Sequence, residues 1–206
     1  MDALPGAVDL ITRMNDEGTN YFVVTNDASV SLESRVKTFA SKGFDIPQDR
    51  IINSGSQITG YFTENKVQDA PTVVLGTQDA MDYTTTAGGR LIELGGTEEP
   101  DVVVVGHSGP HDWESTLEKL LELFSRRFQQ NNPVRLDLPN PDFIYPNGHG
   151  NFGFGAAAFV NLLEQALERL HGSHESLLAT KLGKPYEPIF AAAVERAGTN
   201  HAVMIG

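Results

Sequence analysis

Tyr21-Phe22-Val23-Val24-Thr25-Asn26-Asp27-Ala28-Ser29 is the stretch that decides the fold. Tyr21 to Val24 is an unbroken apolar, β-forming run, the pattern of a strand buried on both faces within a parallel sheet. It runs directly into a hydroxyl and an amide, Thr25 and Asn26, and then into a Ser-rich helix start. Open α/β sheets gather ligands at the carboxyl ends of their strands, so these two groups are placed to hold an anion. The plainer reading is that Thr and Asn punctuate a strand end, as they often do.

Working outward, Leu4 to Glu17 carries apolar residues at helical spacing and stops at Gly18. Ser29 or Ser31 caps a second helix reaching about Lys42. Arg50–Ile52 is a short strand ending at Asn53-Ser54-Gly55-Ser56, and a helix from about Ser54 to Glu64 follows. This alternation is a parallel α/β layout. A second unit begins near Lys66, with strands expected at Thr72–Leu75, Arg90–Leu94, Asp101–Val105 and Val134–Leu138. Its helices are expected at Ala80–Ala87, Asp112–Gln129 and Gly155–Leu170, the middle one bearing a core-packing stripe from Leu117 to Phe128. The helix Pro185–Ala197 and a final buried strand, His201–Ile205, return to the first unit. The expected division is therefore 1–65 with 182–206 around an inserted 66–181.

The chain has 206 residues, 40% hydrophobic and 20% charged, the balance of an ordinary globular protein. A formal charge of -12 disfavours nucleic acid and anionic membranes as partners, and an anionic substrate would need a local positive site. Without cysteine there is no disulfide, thiolate nucleophile or cysteine-ligated metal. No apolar run approaches the roughly 20 residues of a membrane helix, and the start lacks the pattern of a signal peptide, so a cytoplasmic address is expected. Lys184, just before a helix, is the cation that a phosphoryl group at the sheet's carboxyl edge would use, although such lysines are usually solvated.

Taken in series, Leu4-Pro5-Gly6-Ala7-Val8-Asp9-Leu10, Phe22–Asn26, Arg50–Ser54, Asp101–Gly106, Pro139-Asn140-Pro141-Asp142-Phe143-Ile144-Tyr145-Pro146 and Gly183–Phe190 resemble the haloacid dehalogenase (HAD) superfamily. Within it, the likeness is to p-nitrophenylphosphatase-like and sugar-phosphate or phosphoglycolate phosphatases. The resemblance implies a Rossmann-like core with an inserted α/β cap of the C2 type. It also implies phosphoryl transfer from a small phosphorylated metabolite through an aspartyl-phosphate with Mg²⁺. By the same resemblance Thr25 hydrogen-bonds the phosphoryl group with Asn26 beside it, and Lys184 stabilises nucleophile and phosphoryl. Asp142 faces the active site from the cap.

The departures concern the reactive acids. The family's Asp-x-Asp-Gly strand precedes its Pro-Gly-Ala segment, where this chain has Met1-Asp2-Ala3. Asn15-Asp16-Glu17-Gly18-Thr19 follows a helix and is in the wrong register, so it reads as a helix end. The metal-binding acids should follow the last strand, where the chain has Gly206. Covalent phosphoryl catalysis needs an attacking carboxylate, a second to move a proton, and acidic ligands for Mg²⁺. The expectation is an inactive chain that binds no metal, a truncated window of a longer gene product, with a degenerate homologue as the alternative. A silent anion-binding or interaction module is the reading from another class. In the family's strand order the missing first strand is central. The strands at Thr25 and at His201–Ile205 should then pair directly, or a homodimer should cover the gap.

Other candidates read as structure. His107 and His111 with Asp112 suggest zinc only superficially, because Gly109 and Pro110 prevent a one-face helical arrangement, so a surface loop is expected. Ser108 lacks the Gly-x-Ser-x-Gly frame. His171 and His174 read as solvated, and the glycine-rich Asn147–Gly155 as a loop.

Overall fold

The structure, a computed structural model, describes residues 3–109, 111–148 and 150–205. Helix α1 (Ala7–Asp16) ends as expected where Gly18 adopts a left-handed conformation. Strand β1 (Val23–Thr25) follows, then α2 (Leu32–Ala40), whose N-cap is Ser31 with its hydroxyl accepting from the Ser34 N–H. Strand β2 (Ile51–Asn53) pairs parallel with β1, and α3 (Ile58–Asn65) leads away from it. Then come β3 (Pro71–Leu75), α4 (Gln78–Thr86), β4 (Arg90–Leu91) and β5 (Val102–Val105). They are followed by α5 (Trp113–Gln129) and β6 (Arg135–Leu138). The remainder is β7 (Ile144–Pro146), β8 (Phe152–Phe154), α6 (Ala156–His171), β9 (Thr180–Lys181) and α7 (Glu187–Ala197). No helix among the described residues is long and apolar enough to cross a membrane.

The larger sheet runs β4-β3-β5-β6-β9, and all its pairings are parallel. One face packs against α5 and α6 through Leu120, Phe124, Val160, Leu163 and Leu167, with Leu117, Leu121 and Phe128 at the margin. The other face packs against α3 and α4, where Ile58, Phe62 and Ala80 meet Val74, Val102, Val104 and Leu182. Strand β5, sandwiched on both edges and both faces, is fully buried along its length. Chain order across the sheet reverses between β3 and β5, so the carboxyl ends of these strands open a crevice on one edge. The loop after β1 sits at that edge, since the Thr77 hydroxyl at the end of β3 donates to the Ser29 carbonyl at 2.7 Å.

Four expectations fail. The β1 run is half-buried rather than covered on both faces, because β2 is its only strand neighbour among the described residues. The final buried strand does not form. After α7 residues 201–205 form no helix or strand, and Val203, Met204 and Ile205 are 89%, 59% and 72% exposed. A run of β-formers becomes a strand only when a neighbour supplies the ladder, and β1 does not pair with 201–205. The glycine-rich segment contains an antiparallel hairpin, β7 with β8, closed by a turn in which the Asn147 N–H donates to the Asn151 carbonyl. His149 lies outside the described residues. Lastly, His171 is half-buried, its Nε2 2.7 Å from the Ser125 hydroxyl and its ring tilted against Phe128, with His174 edge-on to the same phenyl.

Candidate functional site

Strand β1 positions the site by its hydrogen-bond parity. Backbone groups of alternate residues point to opposite edges. The carbonyls of Tyr21 and Thr25 face β2, accepting from Arg50 Nη1 and the Ser54 N–H. The Val24 carbonyl therefore faces the other edge, where Lys184 Nζ donates to it at 2.9 Å. Lys184 comes from the loop after β9 and occupies the position that a neighbouring strand's N–H would take.

Asn26 is the junction. Its Oδ1 accepts from the Lys184 backbone N–H at 2.6 Å. Its Nδ2 donates to the Lys184 carbonyl at 3.0 Å and to Asp142 Oδ1 at 2.8 Å. One buried amide thus clasps the loops after β6 and β9 to the end of β1. An amide has two N–H donors, and both are engaged. Asn26 is consequently a positioning group, with no donor left over for a ligand. The Ser54 hydroxyl holds the Asn26 carbonyl from below at 2.6 Å and is itself buried. Gly183 is required by this closure: a Cβ there would stand 2.6 Å from Asn26 Oδ1 and 2.7 Å from the Pro139 carbonyl.

The structure therefore brings Thr25, Asn26, Lys184 and Asp142 to one edge. Thr25 is half-buried, and its hydroxyl oxygen accepts from the Asp27 N–H at 3.3 Å, leaving the O–H proton as a donor. Lys184 is half-buried, with two ammonium protons beyond the one given to Val24. Asp142 is half-buried and fixed from behind by the Asn140 side chain accepting its N–H at 2.9 Å. Directly after it, the β7–β8 hairpin displays Phe143, Ile144, Tyr145, Phe152 and Phe154, all exposed.

Sequence reasoning missed Asp27 and Arg35. Asp27 Oδ1 accepts from the Ser29 N–H and hydroxyl, and its other oxygen pairs with the Arg35 guanidinium. Burial lowers the proton affinity of Arg35. Asp27 follows Thr25-Asn26 in the quoted stretch, but only the turn back onto α2 reveals its partners. Ser54 gave no signal beyond its place after a strand.

The magnesium implied by the resemblance needs several converging oxygens. Among the described residues no group of three or more His, Asp or Glu converges. The carboxylates nearest the clasp are already engaged, Asp27 by Arg35 and Ser29, Asp142 by Asn26. The donor set among the described residues does not fit the ion. His107 and His111 occupy the loop after β5, both half-buried rather than on an open surface, and burial lowers the proton affinity of each. His107 Nδ1 accepts the Gly109 N–H, and His111 Nε2 is buried without a partner among the described residues.

Residues 1–90 match the family model of haloacid dehalogenase-like hydrolases. With the β1 edge, the lysine loop and the parallel sheets in place, this match and the similarities that follow support the likeness to the haloacid dehalogenase superfamily and to its p-nitrophenylphosphatase-like and sugar-phosphate phosphatase branch. It is 26% identical over 211 residues to a dihydroxyacetone phosphatase of Corynebacterium glutamicum, the match covering all of this chain and 68% of the relative. Its fold is similar to a glycerol phosphate phosphatase of Mycobacterium tuberculosis solved in complex with magnesium. There the TM-score is 0.77 at 21% identity, over 96% of this chain and 54% of the other. A p-nitrophenyl phosphatase of Archaeoglobus fulgidus superposes with a TM-score of 0.70 at 20% identity, covering 95% of this chain and 68% of that one.

Proposed function

We propose that this chain is a phosphatase-like scaffold that holds a small phosphomonoester at the β1 edge without hydrolysing it. The observation that carries the reading is the Asn26 clasp, which joins the ends of β1, β6 and β9 around one lysine and one hydroxyl. Lys184 gives the local positive charge that a chain of net charge -12 needs to admit an anion. Its remaining ammonium protons and the Thr25 hydroxyl donate to the phosphoryl oxygens. Asn26 fixes their geometry, and Asp142 contacts the organic part of the ester, with the aromatic hairpin beside it.

Turnover by way of an aspartyl-phosphate requires a free carboxylate aimed at phosphorus. Asp27 is committed to an ion pair and two hydrogen bonds, which disfavours it as that nucleophile. The division into 1–65 with 182–206 and an inserted 66–181 belongs to this proposal. It is supported by the separation of the β1–β2 pair from the five-stranded sheet, though α3 packs across onto the latter. The substrate class is a small phosphorylated metabolite met in the cytoplasm, and neither nucleic acid nor membrane is a partner.

The test is release of p-nitrophenolate from p-nitrophenyl phosphate with Mg²⁺. The expected result is a rate no higher than the blank. Turnover that disappears in Thr25→Ala or Lys184→Ala overturns the reading. A second reading, a homodimer pairing across β1, is favoured by the second edge of β1, which has no strand beside it among the described residues and is met there by Lys184, and by the exposed 201–205 segment. Light scattering that finds only monomer removes it.

A further inference from the structure

Asp137 lies inside β6 at 0% exposure, and neither carboxyl oxygen has a hydrogen-bond partner among the described residues. Its neighbours Leu136 and Leu138 pack into the core with α5 and α6. Alternation along the strand turns Asp137 to the opposite face, the one covered by α3. Arg135, two residues earlier and on that same face, donates to Asn65 Oδ1 at the end of α3 at 2.9 Å. The seam is otherwise apolar, made by Ile58, Phe62, Val74, Val102, Val104 and Leu182.

The groups facing Asp137 are few. Tyr61 comes from α3, with its phenol held neutral to higher pH by burial and then by the nearby Asp137 charge. Strand β9 sets Thr180 opposite it in register, and β5 sets Val104. Arg135 on β6 is the one cation on this face of the strand among the described residues, and its exposed side chain reaches Asn65 and the Tyr61 phenol rather than the Asp137 carboxyl. No ordinary hydrogen bond or ion pair therefore compensates an anion at this position, and burying one uncompensated is costly.

We infer that Asp137 is a proton-held latch on the seam between α3 and the five-stranded sheet. Protonated, it packs as a neutral side chain beneath Tyr61. Ionised, it draws water into the seam and loosens α3. Burial pushes its carboxyl well above the usual aspartate range, and only the Leu138 backbone N–H, outside hydrogen-bonding geometry, works against that. A groove of about 730 Å³ at the amino ends of the sheet is walled in part by Tyr61, Arg135 and Thr180, bringing solvent to the residues that cover Asp137.

The sign follows from linkage. The unfolded chain releases this proton near pH 4, at roughly 3.9, and the folded chain keeps it to higher pH. Stability is complete below the unfolded value and is lost as pH rises through the folded one. Within that window one retained proton raises the unfolding equilibrium constant about tenfold per pH unit. His107 and His111 act oppositely, since their lowered proton affinity costs stability as pH falls through the histidine range.

The experiment is urea unfolding from pH 5 to 9 for the wild type, Asp137→Asn and Asp137→Leu. Amide hydrogen exchange in α3 is compared with α5 at each pH, and the Asp137 carboxyl carbon of the wild type is followed by NMR. The wild type is expected to lose stability with rising pH relative to either variant, with faster exchange in α3 and unchanged exchange in α5. Its carboxyl carbon should hold the protonated shift beyond the pH at which an ordinary aspartate has ionised. If neither variant folds, the carbon titration alone decides. An Asp137 that titrates in the ordinary aspartate range, or a pH dependence common to all three proteins, overturns the latch.

Discussion

Three valine-bearing runs in this chain have different fates. Val102–Val105 is fully buried, whereas Val23 and Val24 are half-buried and Val203 is 89% exposed. Side-chain chemistry does not separate them. Strand β5 has β3 on one edge, β6 on the other and helices on both faces, while β1 has only β2, and the 201–205 segment has no strand beside it among the described residues. Burial is conferred by neighbours. At β1 the neighbour on the second edge is a lysine ammonium, which turns an unpaired carbonyl into part of a candidate anion site.

The comparison is sharpened first in the larger sheet. Phe124→Ala, which empties the space between α5 and β5's face, should cost about 3–5 kcal/mol in urea unfolding. A loss below about 1 kcal/mol would mean that the large sheet is not the stabilising half. Val104→Ala, which deletes two buried methyl groups, should cost about 1.5–3 kcal/mol from lost burial plus the cavity left behind.

At the boundary of the two regions, Gly183→Ala drives a methyl against Asn26 and Pro139. Overpacking of this kind costs roughly 1–3 kcal/mol. The same substitution should weaken phosphate binding by displacing Lys184, and calorimetry reads both effects. Within the smaller region, Ser31→Ala removes the α2 cap for about 1 kcal/mol. Val203→Ala should change stability by less than about 0.5 kcal/mol. If Val203→Ala costs as much as Val104→Ala, the contrast between the two regions fails.

Much of this was legible in the sequence where local chemistry decides it. The Ser31 cap, the Gly18 stop, the Leu117–Phe128 stripe and the β5 run each depend on residues close in the chain. Thr25, Asn26, Asp142 and Lys184 were readable as a set through family likeness, and the structure brings them to one edge. The manner of their meeting was not readable. Asn26 exhausts its donors on Lys184 and Asp142, contacts spanning more than a hundred residues that no periodicity encodes. The His201–Ile205 run misled because β-propensity records fitness for a sheet and is silent about whether a sheet edge is present. Asp137 inside an alternating strand gave no warning either, since one polar residue among leucines reads as an outward-facing position.

The central claim is tested most directly by titrating isotopically labelled protein with p-nitrophenyl phosphate and following backbone and side-chain amide resonances. The expected result is saturable shifts converging on Thr25, the Asn26 side-chain amide and Lys184, abolished in Lys184→Ala, with the ester intact at the end of the titration. Shifts that bypass these residues, or an ester consumed during the experiment, would contradict the account.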